Sequence, residues 1–447
     1  MLRSGSIRGA LLLGVATVSA LPAVAQDGGL QMVIGLSQRL ETGTNTGLEV
    51  PSEGSETIST TRLSFGLVSA TEISRLTFNA SSALLIENSF DTDGVEADIG
   101  SPDLSFGFTR EVASAALEIS ARYRSDDVDA FDSSLSADER IGTLTDSGAS
   151  FRLETGRTAS VGFVVGASYD EANYEDTVDP DLVDTRTARA NGDVILRFSE
   201  LVTGRLGLAY SHSEEDNAAQ TVTDTATASA GLDYVLSERL TLAASLGYTE
   251  IDTEEFGLVD TTSGPVGRLG FVYGMTNGTL NGEVVVSRTA DEDVRTTLAI
   301  GRELALPAGS LSARIGATRT EAAGTDVIGA IVWTQQLPSG EMDVRAERSV
   351  SYDDGADEVV TSSVAAVDWS MDVNALSSIG LDVSYEISDA PSERVEQAEF
   401  GATYNYSLTA DWGLESGVRY IIRDDLDGRA RSPSVFVEIS RDFDFLP

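Results

Sequence analysis

From residue 29 to residue 445, apolar and polar positions alternate in runs of roughly a dozen, each closed by a turn and followed by another run of the same kind. A period of two sends successive side chains to opposite faces of a strand. Leu240, Leu242, Ala244, Leu246 and Tyr248 make one face of such a run, and Thr241, Ala243, Ser245, Gly247 and Thr249 make the other. Ile379, Leu381, Val383, Tyr385 and Ile387 oppose Ser378, Gly380, Asp382, Ser384 and Glu386. Leu311, Ala313, Ile315 and Ala317 oppose Ser312, Arg314, Gly316 and Thr318. The same rhythm recurs at 115–123 and 398–406, so the pattern predicts an all-β chain.

A β-sandwich alternates too. Three further features separate a membrane barrel from it. First, the polar faces carry small residues together with charges of both signs, such as Glu118 with Arg122 and Asp343 with Arg345. Second, the connections alternate in length. Tight ones fall near 69–72, 111–112, 155–157, 200–201, 237–238, 277–278, 307–309, 338–340, 372–374 and 410–411. Longer acidic stretches lie between them, among them 87–98, 125–143, 171–184 and 251–262. Outer-membrane barrels have this asymmetry, with tight periplasmic turns and longer outer loops.

Third, the chain ends in a strand over Val435 to Phe445, with Val435, Val437, Ile439, Phe443 and Phe445 on one face. This resembles the closing strand of bacterial outer-membrane barrels, although Arg441 interrupts the apolar face and Leu446 and Pro447 follow the last Phe. The chain as a whole resembles a Gram-negative outer-membrane β-barrel, porin-like, of a large and unplugged kind. Ten tight turns give about 22 strands, within a range of 20 to 24, in a single closed antiparallel transmembrane β-barrel. An even count places both termini in the periplasm. The resemblance implies outer-membrane lipid and lipopolysaccharide as surroundings.

The first residues change where the barrel begins. Arg3 and Arg8, the apolar stretch from Leu11 to Val18, and Ala23-Val24-Ala25 read as a signal peptide over residues 1–25. The barrel domain is then 26–447. Nothing beyond Gln26 to about Gly28 precedes the first strand, so the expectation is a barrel with no plug domain. No run of 18 apolar residues is present to form a spanning helix. Cysteine is absent, which removes disulfides and thiolate metal sites. The net charge of −42 becomes −44 once Arg3 and Arg8 leave with the signal peptide, and every one of the 30 basic residues is Arg. Nucleic acid is excluded as a partner, because phosphate binding needs a basic face.

Candidate chemistry is sparse, and no catalytic residue, cofactor site or enzyme activity is implied. The one histidine, His212, sits between Ser211 and Ser213. Neighbouring strand residues point to opposite faces, so a Ser–His hydrolase pair is disfavoured against a polar residue at a strand end. Carboxylates gather in the expected outer loops: Asp91 and Asp93, Asp126 and Asp127, Asp353 and Asp354, and Asp424 and Asp425. They are weak candidates for divalent ions, because none fits a twelve-residue calcium loop. Arg122, Arg205, Arg314 and Arg345, with Glu118, Glu283, Asp343, Asp382 and Glu399, are expected to line the lumen, since such charges are costly against lipid. Tyr210, Tyr248, Tyr273, Tyr385, Tyr404, Tyr406, Trp333, Trp369 and Trp412 are candidates for interfacial girdles.

These features favour an outer-membrane pore or conduit for passive passage of solutes, preferring cations. The alternatives are a structural sheath around a lumen-filling partner protein or exported polymer, and a surface interaction protein acting through its loops. In transporters of 22 strands the lumen is plugged. On this reading the chain resembles the barrel of such a transporter without its engine.

Overall fold

The computed structural model describes residues 29–445 apart from 53, 90–93, 129–141, 178–181, 291–293, 321–323, 354–357 and 427. The signal-peptide stretch, and with it Asp91, Asp93 and Asp354, lies outside the described residues. The chain runs through β1 (Leu30–Thr44), β2 (Ser55–Ala70), β3 (Ser74–Ser89), β4 (Gly94–Val112), β5 (Ala115–Asp127) and β6 (Thr143–Thr155). It continues with β7 (Val161–Glu175), β8 (Thr185–Arg197), β9 (Val202–Glu215), β10 (Val222–Ser237), β11 (Leu240–Glu255) and β12 (Leu258–Met275). Next come β13 (Gly278–Ser287), β14 (Arg295–Leu306), β15 (Gly309–Thr320), β16 (Gly324–Leu337) and β17 (Gly340–Asp353). The last five are β18 (Glu358–Asn374), β19 (Ser377–Asp389), β20 (Arg394–Ser407), β21 (Trp412–Asp425) and β22 (Gly428–Phe445).

Each strand pairs antiparallel with the next, and β1 pairs with β22 from Met32↔Phe445 to Gly43↔Ser434, closing a single 22-stranded barrel. Closure leaves no unpaired edge, which a sheet in lipid requires. The strand count, the closure and all ten tight turns agree with the sequence reading. Leu30 and Phe445 both lie at the tight-turn end, so the described chain starts and finishes on one side.

The outer connections differ from expectation. Among the described residues, strand continues through 87–89 and 94–98 and through 251–255 and 258–262, and strand lengths run from 10 residues in β13 to 19 in β4. The stretch 251–262 is almost all ladder: Glu255 pairs with Leu258 around the two-residue turn Phe256-Gly257. Glu87 likewise lies in a ladder, paired with Glu96 between β3 and β4. Above the hydrocarbon both faces of a strand meet water, so polarity on both faces ends the lipid band without ending the strand. Charge there was a marker of depth, not of loop.

The connection 45–54 folds inward. A Cβ on Gly43 would stand 2.8 Å from Thr46 Cγ2, and one on Gly428 3.5 Å from Val50 Cγ1. Asn45 holds this turn, its side chain accepting from Glu49 N at 2.9 Å and donating to Glu49 O at 3.0 Å. Leu48 is buried beneath it.

Candidate functional site: the inner wall

Directly paired residues share a face, so the register sorts every side chain into one of two sets. One set is apolar and aromatic over the middle of each strand, the other small and charged. Only the first suits lipid, which makes it the outer face and leaves the polar set inside. The outer set carries all nine aromatic candidates, in two belts. Tyr273, Trp333, Trp369, Tyr404, Tyr406 and Trp412 lie near the tight-turn end, and Tyr210, Tyr248 and Tyr385 toward the other. Arg441 also faces out, opposite Trp412, and its guanidinium carbon stands 4.3 Å from the Phe443 ring centroid and 5.1 Å from that of Trp412. An arginine resting on aromatics at the rim keeps its charge at the headgroups, which is how the closing strand tolerates it.

All nine charges singled out above fall in the polar set. Glu118 and Arg122 stand on β5, Arg205 on β9, Glu283 on β13, Arg314 on β15, Asp343 and Arg345 on β17, Asp382 on β19 and Glu399 on β20. Their partners are not the same-strand neighbours that the sequence suggested. Residues four apart on a strand lie about 13 Å from each other, whereas cross-strand neighbours are about 5 Å apart. Arg122 therefore meets Asp146 of β6 at 3.0 Å and Asp170 of β7 at 2.8 Å, and Arg189 of β8 reaches the same Asp170 at 3.1 Å. The bridge crosses β6 over Gly148, where a Cβ would stand 2.6 Å from Arg122 Nη1 and 2.8 Å from Asp170 Oδ1. A second bridge joins Arg268 of β12 and Arg314 of β15 through Glu283, each at 2.6 Å. Glu399 pairs with Arg419 of β21 at 3.0 Å, while Asp343 accepts a hydrogen bond from Thr334 Oγ1 at 2.6 Å.

On β17, β18 and β19 the register sets Asp343 opposite Asp368, and Asp368 opposite Asp382. Arg345 is the sole arginine among the inward positions of β16–β20. Asp146, Asp170, Arg189, Arg268, Asp368 and Arg419 were missed by sequence reasoning. Alternation assigns a face, but the strand register that makes partners is non-local.

The divalent-ion candidates that are described lie at strand ends rather than in loops. Asp126 and Asp127 close β5, with Asp126 3.4 Å from Arg124, and Asp353 closes β17 opposite Glu358. Asp424 and Asp425 close β21, and Asp425 meets the fully buried Arg423 at 2.8 Å. Among the described residues no three carboxylate or imidazole groups converge as metal ligands.

His212 faces outward, two residues beyond Tyr210, while Ser211 and Ser213 face inward and Ser213 bonds to Thr187 at 3.0 Å. Its Nδ1 lies 2.8 Å from Asp224 and its Nε2 3.2 Å from Glu214. The hydrogen bond to Asp224, then that to Glu214, holds the imidazolium pKa above its ordinary value. Tyr210 donates to the same Asp224 at 2.5 Å, and Tyr210 first, His212 second, lower the Asp224 pKa. The motif recurs on the outer face: Glu171 accepts from Tyr169 at 3.3 Å and Arg186 at 3.1 Å, and Glu396 from Tyr385 at 2.7 Å and Arg394 at 2.9 Å. A tyrosine, a carboxylate and a base thus meet three times at the outer belt.

No protein-family model and no curated protein matches the chain. Solved structures do. The FrpB iron transporter from Neisseria meningitidis superposes with a TM-score of 0.64 at 9% identity, over 94% of this chain and 83% of that one. The siderophore receptor PirA from Acinetobacter baumannii gives 0.60 at 10%, over 92% and 80%. The ferric enterobactin receptor PfeA from Pseudomonas aeruginosa, in complex with enterobactin, gives 0.58 at 11%, over 94% and 82%. At this identity the likeness is one of fold, and those proteins are transporters and receptors rather than enzymes.

The expectation of a passive, cation-preferring pore does not stand, and neither does the reading of the chain as chiefly a sheath or a surface-interaction protein. The solved barrels on which it superposes include iron and siderophore receptors. The open lumen was inferred from how little chain precedes the first strand. That distance says nothing about what a barrel of this width carries, and barrels of 22 strands are closed when they work. Among the described residues no segment forms a plug. The chain has the fold of the Gram-negative outer-membrane β-barrels on which it superposes.

Proposed function

We propose that this barrel is the membrane body of an uptake receptor for ferric siderophore-type chelates. The carrying observation is the closed 22-strand path, which follows iron and siderophore receptors over 92–94% of the chain. Two features of the inner wall support the reading. The turn after β1 folds onto the inward face of β1 and β22, with Thr46 beside Gly43 and Val50 beside Gly428, where cargo entering the lumen would meet it. The inner wall also carries arginines and carboxylates on many strands, bidentate donors and acceptors suited to a polar chelate surface. The lining role of Arg122, Arg205, Arg314, Arg345, Glu118, Glu283, Asp343, Asp382 and Glu399 belongs to this proposal. So does a separate protein entering the lumen to close it. The tyrosine–carboxylate–base groups of the outer belt then face lipopolysaccharide headgroups, with Tyr as the interfacial anchor.

Uptake of radio-iron tests this. The full chain, expressed in a Gram-negative host deprived of its own siderophore receptors, should import ferric enterobactin or another ferric chelate saturably. Dissipating the proton-motive force should abolish the import. Entry that rises linearly with concentration, ignores the proton-motive force and admits unrelated solutes of similar size overturns the proposal. A protein filling the lumen should co-purify at one copy per barrel in mild detergent.

A further inference from the structure

The tip of the β11–β12 hairpin breaks three local rules at once. Phe256 has φ +50° and Gly257 φ +75°, the signature of a type I′ turn. Glycine suits that conformation, and asparagine or aspartate tolerate it, but an aromatic residue there is strained. The strain is not offset by burial. Phe256 is 75% exposed, and Leu258 and Val259 beside it are 77% and 62% exposed. Nor does lipid cover them. The tip lies eight residues beyond Tyr248, about 26 Å of strand at 3.3 Å per residue. The outward positions between are Glu250, Asp252 and Glu254, which hydrocarbon excludes.

The tip is also braced. Phe256 N donates to Ala219 O at 3.0 Å, tying it to the neighbouring turn 216–221. That turn is itself fixed: Asn217 Oδ1 accepts from Thr221 N at 3.1 Å, and Asn217 Nδ2 donates to Thr221 Oγ1 at 2.9 Å. A strained, exposed and rigidly held apolar knob is the form of a pre-organised binding element, in which ordering cost is met before association.

The geometry points to the hairpin tip, with Phe256 at its apex, Leu258 on the face that continues the inner wall and Val259 on the outward face, as a docking knob taken in from both sides by an extracellular protein whose apolar socket is rimmed by basic side chains. Charge selects that occupant. Glu250, Asp252, Glu254, Glu255 and Asp260 flank the knob, so a socket edged with Lys or Arg complements it. A second copy of this chain, with a net charge of −42, and an anionic membrane surface are both repelled. The knob stands apart from the lumen, so this inference does not depend on what the barrel carries.

The test has two stages, both on the full chain. Benzoylphenylalanine placed at position 256 is irradiated on living cells, with the same photoprobe at Leu426 on the β21–β22 tip as control, and adducts are identified by mass. The protein captured at 256 is then purified, and its binding to the barrel in nanodiscs is measured at low and high salt. One dominant foreign protein is expected at 256 and absent at 426. Phe256→Asn and Leu258→Thr should each weaken its binding at least tenfold, and high salt should weaken it severalfold. Phe256→Asn suits the turn better than Phe does, so unchanged heat-modifiable mobility should accompany the loss and separates docking from misfolding. No adduct at 256, the same adducts at both tips, adducts only to lipopolysaccharide or to a second copy, or binding indifferent to both substitutions overturns the inference.

Discussion

Two walls of the barrel face each other across the lumen and treat charge in opposite ways. β7 and β18 are half of the 22 strands apart. Around β7, inward arginines and carboxylates interleave, and Asp170 is shared between Arg122 and Arg189 while Arg122 also holds Asp146. Around β18, Asp343, Asp368 and Asp382 stand in line with Arg345 as the one inward arginine of five strands. Both walls look alike in a hydropathy profile, since each alternates small and charged residues with apolar ones. They differ in cross-strand register. The first wall neutralises itself and spends its charge on the barrel, and the second leaves its charge available to whatever occupies the lumen.

The largest break in that contrast should come from filling the gap under the Arg122 bridge. Gly148→Leu drives a side chain between Arg122 and Asp170, and we expect a loss of about 2 kcal/mol, the usual scale for forced overpacking. Gly401→Leu on the opposite side also intrudes on a carboxylate, that of Asp382. Asp382 has like-charged Asp368 as its neighbour and is free to swing toward the lumen, so the change should stay within about 0.5 kcal/mol. Urea midpoints of the full chain in detergent or bilayer decide between them. Equal losses at the two glycines would show that the walls differ in sequence only.

Removing charge without adding bulk gives a smaller effect of opposite sign on the two walls. Arg122→Leu leaves Asp146 and Asp170 without their shared partner. The arginine is half exposed, which holds the expected loss to about 1 kcal/mol. Asp382→Asn relieves a carboxylate set directly opposite another and should stabilise by a few tenths of a kcal/mol. Salt sharpens the same comparison. Raising it should shrink the Arg122→Leu loss and erase the Asp382→Asn gain, because a Debye length of about 3 Å at 1 M screens both. An Asp382→Asn variant that unfolds earlier than the parent would mean that the acidic row is already compensated by a group of the chain itself.

Much of this molecule was legible in the alternation alone. Leu240 to Tyr248 gave a lipid face, Val435 to Phe445 a closing strand, and the ten tight turns the number 22, because each is set by a few adjacent residues. The limits were equally physical. Ile251 to Glu255 read as loop because polar residues on both faces hide a strand once it leaves the hydrocarbon. Arg122 read as the partner of Glu118 because sequence gives neighbours along a strand, whereas Asp146 and Asp170 come from other strands. The function was misread from the lumen's apparent emptiness, a property that strand pattern does not encode. Phe256 in a type I′ turn was invisible for the opposite reason: the residue contradicts the local preference.

The smallest expected effect is confined to the outer belt, where the wall comparison no longer applies and water reaches both faces. His212 has its pKa raised by Asp224 and Glu214, so its contribution is complete below the ordinary histidine value and is lost as pH climbs through the raised one. Asp224 has its pKa lowered by Tyr210 and His212, so its contribution is complete above the ordinary aspartate value and is lost as pH falls through the lowered one. The two windows overlap between about pH 4 and pH 6.5, where the Tyr210–Asp224–His212 group should hold the ends of β9 and β10 together best. Amide exchange at Ser211 to Glu215 and Thr223 to Thr225 should then be slowest near pH 5 and quicken toward pH 8 after correction for intrinsic rates. His212→Gln should flatten that rise while leaving exchange at Arg205 to Leu208, within the lipid band, unchanged. A profile that stays steep in His212→Gln would show that His212 is not the source of the pH response.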